Sequence, residues 1–281
     1  MWQRPLETLG YALMVLVAII VVAPILAVIA IIVLQGLPAI SWEFLTQMPY
    51  NGMKAGGIFP AIVGTLLLTL GTAVAAIPVG VGGAIYLAEY ARDTALTRAV
   101  RLAIVNLAGI PSVVYGLFGL GMFVLFLDLG TSVIAGSLTL GIMTLPVVIS
   151  TAEEALRAVP REFRTVSASL GGTKWQGIRN VVFPQALPGI ITGIILGLLR
   201  AAGETAPILF TVAAFYLPSL PRSPMDQVMA LPYHLYVVST QVPGMPVEIQ
   251  YGTALVLLAL VLSMNTIATL LRSHYRRRRS W

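Results

Sequence analysis

Apolar residues run along this chain in blocks about as long as a bilayer is thick, not in the alternation that half-buries a soluble helix or strand. The blocks fall at about 11–34, 61–86, 102–126, 130–150, 187–211 and 251–271. A helix needs about 20 apolar residues to cross the hydrocarbon, so the pattern predicts six membrane-spanning helices. The expected fold is all-α: a polytopic membrane protein with residues 1–281 as one transmembrane domain. The first block is too long for a signal-peptide core and has no small-residue cleavage site, so it reads as a retained span.

Composition closes off the soluble alternative. The chain is 58% hydrophobic and 10% charged, with a mean hydropathy of +0.91, against roughly 45–50% and 25% in ordinary domains. Its lack of cysteine removes disulfides, thiolate chemistry and cysteine metal sites. The formal charge of +6 raises nucleic acid as a ligand, but the distribution of the basic residues answers it. Six spans put both termini and the loops 87–101 and 151–186 on one side, and that side holds 14 of the 17 basic residues. The positive-inside rule makes that side cytoplasmic. The run at 276–279 then reads as a topology anchor against anionic membrane lipid, and nucleic acid drops out.

The loops carry their own patterns. Segment 35–60 reads as an interfacial helix and turn. Segment 212–250, with six prolines among Tyr216, Tyr233 and Tyr236, reads as an ordered external lid or as interfacial packing. In 151–186, Phe163, Val166 and Leu170 follow a helical spacing, and Gly171 and Gly172 break it. Trp175, Ile178 and Val182 begin a second stripe that Pro184 ends. A helix–turn–helix hook over 163–182 with an apolar stripe needs a cover, supplied by this chain or another.

One span holds two charges, Arg200 and Glu204. Projected at about 100° per residue, they share a face with Gly189, Gly193 and Gly197, while Ile191, Ile194, Ile195, Leu198 and Leu209 lie opposite. The glycines allow close helix approach. A charge facing lipid costs about 2.5–3.5 kcal/mol even on the lenient scale, so both side chains are expected to point into protein or a wet pathway. Either they form an intrahelical pair that neutralises itself, or Arg200 offers donors to an anion. Arg before Glu is the weaker order for a helical pair.

The hook resembles the "EAA" loop of ABC importer permeases, which docks on the ATPase. Gly171 is followed by nine residues and then by Val181-Val182-Phe183-Pro184, as in that pattern, while Thr165-Val166-Ser167 stand where the family has Glu-Ala-Ala. The stretches "GGIFPAIVGTLLLT", "IPVGVGGAIYLAEYA", "LAGIPSVVYGLFGL" and "RAAGETAPILFT" resemble the A-type permease subunit of phosphate-specific ABC importers, over nearly the whole chain. That resemblance implies the type I importer permease architecture with cytoplasmic coupling helices, in the plasma (inner) membrane. It implies a homologous second permease subunit, a cytoplasmic ATP-binding dimer and an extracytoplasmic phosphate-binding protein as partners. It places phosphate at Arg200, Glu204 and Thr205, and ATPase coupling at Thr165, Ser167, Gly171, Gly172, Trp175, Val181 and Pro184.

Absent motifs agree with a transport subunit powered from outside. There is no G-x-x-x-x-G-K-[ST], so the chain has no P-loop; "LGGTK" at 170–174 belongs to the turn of the hook. There is no H-E-x-x-H, and the three aspartates lie in or beside loops, so no enzyme and no cofactor are expected. The rival readings are a permease for sulfate or molybdate, an ion-driven secondary transporter, and a non-transporting scaffold.

Overall fold

The computed structural model describes residues 3–169 and 171–277. Leu170, Arg278 and Arg279, which enter the sequence reading above, lie outside the described residues. α1 (Gln3–Gly36) leads through a 3-10 turn to α2 (Trp42–Thr46), whose start Ser41 caps by accepting from the Phe44 N–H at 3.1 Å. A two-residue ribbon, β1 (Pro49–Tyr50) against β2 (Ala55–Gly56), completes segment 35–60. α3 (Phe59–Ile85) continues into a π-helical turn, Tyr86–Tyr90.

The third apolar block is not one straight span. α4 (Ala95–Ala108) meets α5 (Ser112–Gly119), which runs on as a π-helical segment to Phe126, at a bend of 103°. Gly109 and Pro111 explain the break: proline lacks an N–H and pushes the residue before it, Ile110, out of the helical region. The Leu107 carbonyl at the end of α4 accepts from Ile110 N–H at 3.2 Å and from the Tyr115 hydroxyl of the far arm at 2.7 Å, which pins the two arms together at the bend.

α6 (Val133–Arg157) extends about two turns past the predicted block, and α7 (Arg161–Ser169) follows. α8 (Lys174–Gly177), a π-helical turn at Ile178–Val182 and α9 (Phe183–Gly203) run on as one 30-residue helical segment. The second arm of the hook is therefore the base of the fifth span and not a separate helix that Pro184 ends. The π-helical turn just before Pro184 absorbs the register change that its missing N–H imposes. The same span stops early, at Gly203, and α10 (Ala206–Thr211) starts anew. α11 (Leu231–Thr240) lies in segment 212–250, and α12 (Val247–Arg277) packs along α1 and α9. Among the described residues, five helices are long and apolar enough to span a membrane, six if the bent pair counts as one.

α3, α6 and α9 form the centre, and small residues set their spacing. A Cβ on Gly80 would meet Val148 at 2.7 Å, and one on Gly189 would meet Ala155 at 2.5 Å, so neither helix could approach as closely with alanine. Segment 212–250 is built into this core. The N–H groups of Ser132, the N-cap of α6, and of Val133 and Ile134 in its first turn donate to the carbonyls of Thr211, Asp226 and Pro224 at 2.9–3.1 Å. Helix N-termini leave such donors without partners, and here residues 224 and 226 of segment 212–250, with Thr211 at the end of α10, supply the acceptors. Leu231 N–H donates to Thr65 Oγ1 at 2.8 Å, tying segment 212–250 to α3.

His234 of α11 is 2% exposed, and its Nδ1 has no hydrogen-bond partner. Burial pushes its pKa down from 6.5 to about 4. The unfolded chain therefore takes up this proton before the folded one, and stability falls as pH drops from about 6.5 toward 4. At pH 5 the loss from this residue is about 2 kcal/mol. Thermal unfolding of the purified protein between pH 7.5 and 5 is expected to show that loss, and His234→Leu is expected to flatten the profile.

Candidate functional site

Arg200 lies in the last turn of α9, where the negative end of the helix dipole favours a cation. The same dipole disfavours a carboxylate at the adjacent C-cap position, which Glu204 occupies with extended backbone (φ −78°, ψ 136°). Arg200 Nε donates to Glu204 Oε1 at 3.4 Å, with side-chain exposures of 39% and 18%. The self-neutralising pair thus forms, but through one long contact. Neither terminal nitrogen of Arg200 has an acceptor among the described residues. Arg164 shows what a saturated guanidinium looks like in this fold, since all three of its nitrogens are engaged.

The faces of α9 differ from their projected positions in two respects. The buried stripe of α9 is Ala186, Ile190, Gly193, Gly197 and Ala201, so Gly193 and Gly197 do pack inward, but Arg200 stands beside that stripe with exposed Leu196 and Gly203. Ile191, Ile194, Ile195 and Leu198 are half-buried, because α12 covers part of the side assigned to lipid; Ile195 and Leu196 share a crevice with Ala268. A projection assumes one packed sector, whereas α9 packs on α3, α6 and α12. Arg200 therefore faces open space along this chain and not a neighbouring helix within it.

Two of the quoted motifs meet here. Gly116 of α5 lies against α10, where a Cβ would come within 3.0 Å of the Ala206 carbonyl. Tyr115, 5% exposed, packs with Ala201 and Ile208. Glu204 borders a small cavity with Thr65, Thr69 and Pro232. Thr205 precedes α10 without capping it by its side chain; its carbonyl accepts from Leu209 N–H at 3.1 Å.

The hook forms a second candidate surface. Gly171 adopts φ +78°, a left-handed turn that favours glycine, and Gly172 N–H donates to the Ser167 carbonyl at 3.1 Å. Ser167 sits against Gly172 and Gly177, leaving a Cβ on either no more than 3.1 Å from it. Thr173 and Gln176 form a capping box at the start of α8, satisfying two N–H groups reciprocally. Thr165 is exposed and donates to the Arg161 carbonyl at 3.2 Å; Trp175 is 53% exposed; Pro184 is half-buried at the base of α9. A groove of about 500 Å³ runs between the arms, lined by Phe163, Val166, Ser167, Gln176 and Val181. Lys174 Nζ stands 4.8 Å above the Tyr90 ring.

The structure adds ionic contacts that the sequence reading passed over. Arg164 pairs with Glu89, which is 6% exposed, at 2.6 Å. Glu153 accepts from both Arg101 and Arg157 at 2.9 Å. Glu89 carried a visible signal, a carboxylate inside the apolar "YLAEYA". Its partner, 75 residues away, did not.

Residues 80–281 match the family described as "Binding-protein-dependent transport system inner membrane component". The chain is 32% identical to "Phosphate transport system permease protein PstA 2" of Mycobacterium tuberculosis (strain CDC 1551 / Oshkosh), over 98% of this chain and 91% of that protein. It is 38% identical to "Phosphate transport system permease protein PstA 1" of M. tuberculosis (strain ATCC 25618 / H37Rv), over 80% and 72%. With "Probable phosphate transport system permease protein PstA" of Methanocaldococcus jannaschii it shares 33% over 88% and 86%. Among solved structures, an inward-facing MetNI methionine ABC transporter superposes with a TM-score of 0.62 at 16% identity, covering 76% of this chain and 94% of that one. That likeness shows the fold, the all-α architecture of a type I ABC importer permease.

Proposed function

The chain belongs to the binding-protein-dependent transport system inner membrane components, and from that premise we propose that it is the permease subunit of an ATP-driven phosphate importer. Relatives named as phosphate permeases at 32–38% identity over most of the chain support the substrate. The observation that carries the reading is the Arg200 guanidinium: a fixed charge in an apolar span, exposed along the chain, with both terminal nitrogens open. A planar fork of donors suits a tetrahedral oxyanion, often in bidentate fashion. Glu204 moderates the attraction, since a pathway site must release its ion as well as admit it. Thr205 follows directly, at the break between α9 and α10.

The remaining assignments follow from this reading. The protein is a multi-pass component of the inner membrane, with both termini and the hook cytoplasmic because the basic residues gather there. A homologous permease subunit completes the pathway across the open face of Arg200. An ATP-binding dimer docks on the hook, with Trp175, Val181 and the Gly171-Gly172 turn shaping the contact and Thr165, Ser167 and Pro184 beside it. An extracytoplasmic binding protein delivers phosphate to the lid. ATP hydrolysis belongs to the separate subunit, because this chain has no P-loop.

Reconstitution tests the reading. Proteoliposomes holding the copurified complex and the binding protein are expected to take up labelled phosphate only with ATP inside. Uptake without ATP would identify a secondary transporter. Suppression by sulfate or molybdate more strongly than by unlabelled phosphate would reassign the anion.

A further inference from the structure

The Arg164 guanidinium is the most heavily bonded side chain among the described residues. Its Nε donates to Glu89 Oε1 and Oε2 at 3.1 and 3.3 Å, and Nη2 to Glu89 Oε1 at 2.6 Å. Nη2 also reaches the Leu156 carbonyl at 2.9 Å, and Nη1 the Val159 carbonyl at 2.6 Å. Leu156 belongs to the last turn of α6, where helix carbonyls lack intrahelical donors. Glu89 belongs to the π-helical turn that ends α3, a deformation that often marks function. One residue of α7 is thus bonded to the ends of two central helices. The π-helical turn is held from its other side too, since Arg101 donates to the Leu87 carbonyl at 2.8 Å and to Glu153 of α6 at 2.9 Å.

We propose that the Glu89–Arg164 pair is a positioning strut that makes α7 move as one body with the ends of α3 and α6. Through it, motion imposed on the hook reaches the helices packed on α9, which carries Arg200; this rests on the importer reading above. The geometry suits that role. Glu89 is 6% exposed and Arg164 28%, so water does not readily replace the contact, whereas Arg98–Asp93 is 61% and 76% exposed and is screened. α3 and α6 both pack on α9, so displacing their ends displaces the wall that carries Arg200. Coupling of this kind requires a direct test of the element itself.

Two measurements provide it. In proteoliposomes, Glu89→Gln is expected to leave assembly intact and ATP hydrolysis within about two-fold of the unaltered complex, while phosphate imported per ATP falls about ten-fold. Arg164→Lys, which keeps the charge but not the fork, is expected to fall between. The second measurement needs only the purified chain, which has no cysteine of its own. Spin labels at Tyr86→Cys and Arg161→Cys are expected to give one narrow distance distribution, which Glu89→Gln broadens. Unchanged phosphate per ATP in the assembled Glu89→Gln complex, or an unchanged narrow distance, overturns the strut. So does a loss of uptake that merely tracks loss of assembled complex. If the unaltered complex carries no phosphate, the importer reading fails, and the distance measurement still decides the strut.

Discussion

Replacing Arg200 by Gln is expected to cut ATP-driven phosphate uptake at least about 100-fold while the complex still assembles. Each hydrogen bond to a charged group is worth about 1.5–3 kcal/mol, so losing two from a bidentate fork removes about 3 kcal/mol or more. At about 1.4 kcal/mol per factor of ten, that is two orders of magnitude. Assembly survives because Arg200 makes one contact of 3.4 Å and is 39% exposed, so its replacement opens no cavity. Arg200→Lys keeps the charge and loses the fork, and an intermediate loss of about ten-fold is expected. Labelled uptake in cells lacking their own phosphate permease, with pull-down of the complex, measures both quantities. The double replacement Arg200→Gln/Glu204→Gln separates the two readings of the pair. If the charges serve only to neutralise one another, removing both restores uptake; if Arg200 meets the anion, uptake stays lost. Normal uptake by Arg200→Gln would sink the assignment.

Gly64→Ala is expected to cost more stability than any other small change in α3, about 3 kcal/mol, which is the upper end of ordinary overpacking. A Cβ there would fall on the Met229 carbonyl oxygen and within 3.0 Å of Val228 Cβ. The obstacle is backbone, so no rotamer relieves it. The next residue, Thr65, accepts from Leu231 N–H of segment 212–250, and displacing 228–231 breaks that bond as well. For a chain of this size the cost corresponds to a fall of roughly 10 °C in unfolding temperature. Gly82→Ala is the control in the same helix. Nothing lies within 4 Å of its added Cβ, and alanine there is expected to be neutral or stabilising by about 0.5–1 kcal/mol. Thermal unfolding of the three purified proteins decides it; equal temperatures for Gly64→Ala and Gly82→Ala would refute the close crossing of residues 228–229 over α3.

Much of the molecule could be read without coordinates. Blocks of apolar sequence and the side on which the basic residues gather are local, additive properties, and they carried the membrane class, the helical fold and the approximate helix positions. Arg200 and Glu204 stood out because a charge in hydrocarbon is expensive whatever surrounds it. The Gly171-Gly172 turn was legible for a similarly local reason, and so was the missing P-loop.

Other features depended on what packs against what. Gly109 and Pro111 advertised a break in the third block, but the 103° bend depends on how α5 seats against α10 through Gly116. The helical phase of Arg200 was computable, yet its exposure was not, because phase gives a direction and only the placement of α3, α6 and α12 says what lies there. Glu89 was visible as a carboxylate near the end of an apolar span, but its partner lies 75 residues away on a helix that the sequence describes only as amphipathic. Which solvent this chain folds in, and which charges demand an explanation, is written in the order of its residues, because burial in lipid is a property of each segment. The tertiary structure alone decided which of those charges are saturated, as in Arg164, and which remain open, as in Arg200, because a guanidinium's acceptors come from residues distant along the chain.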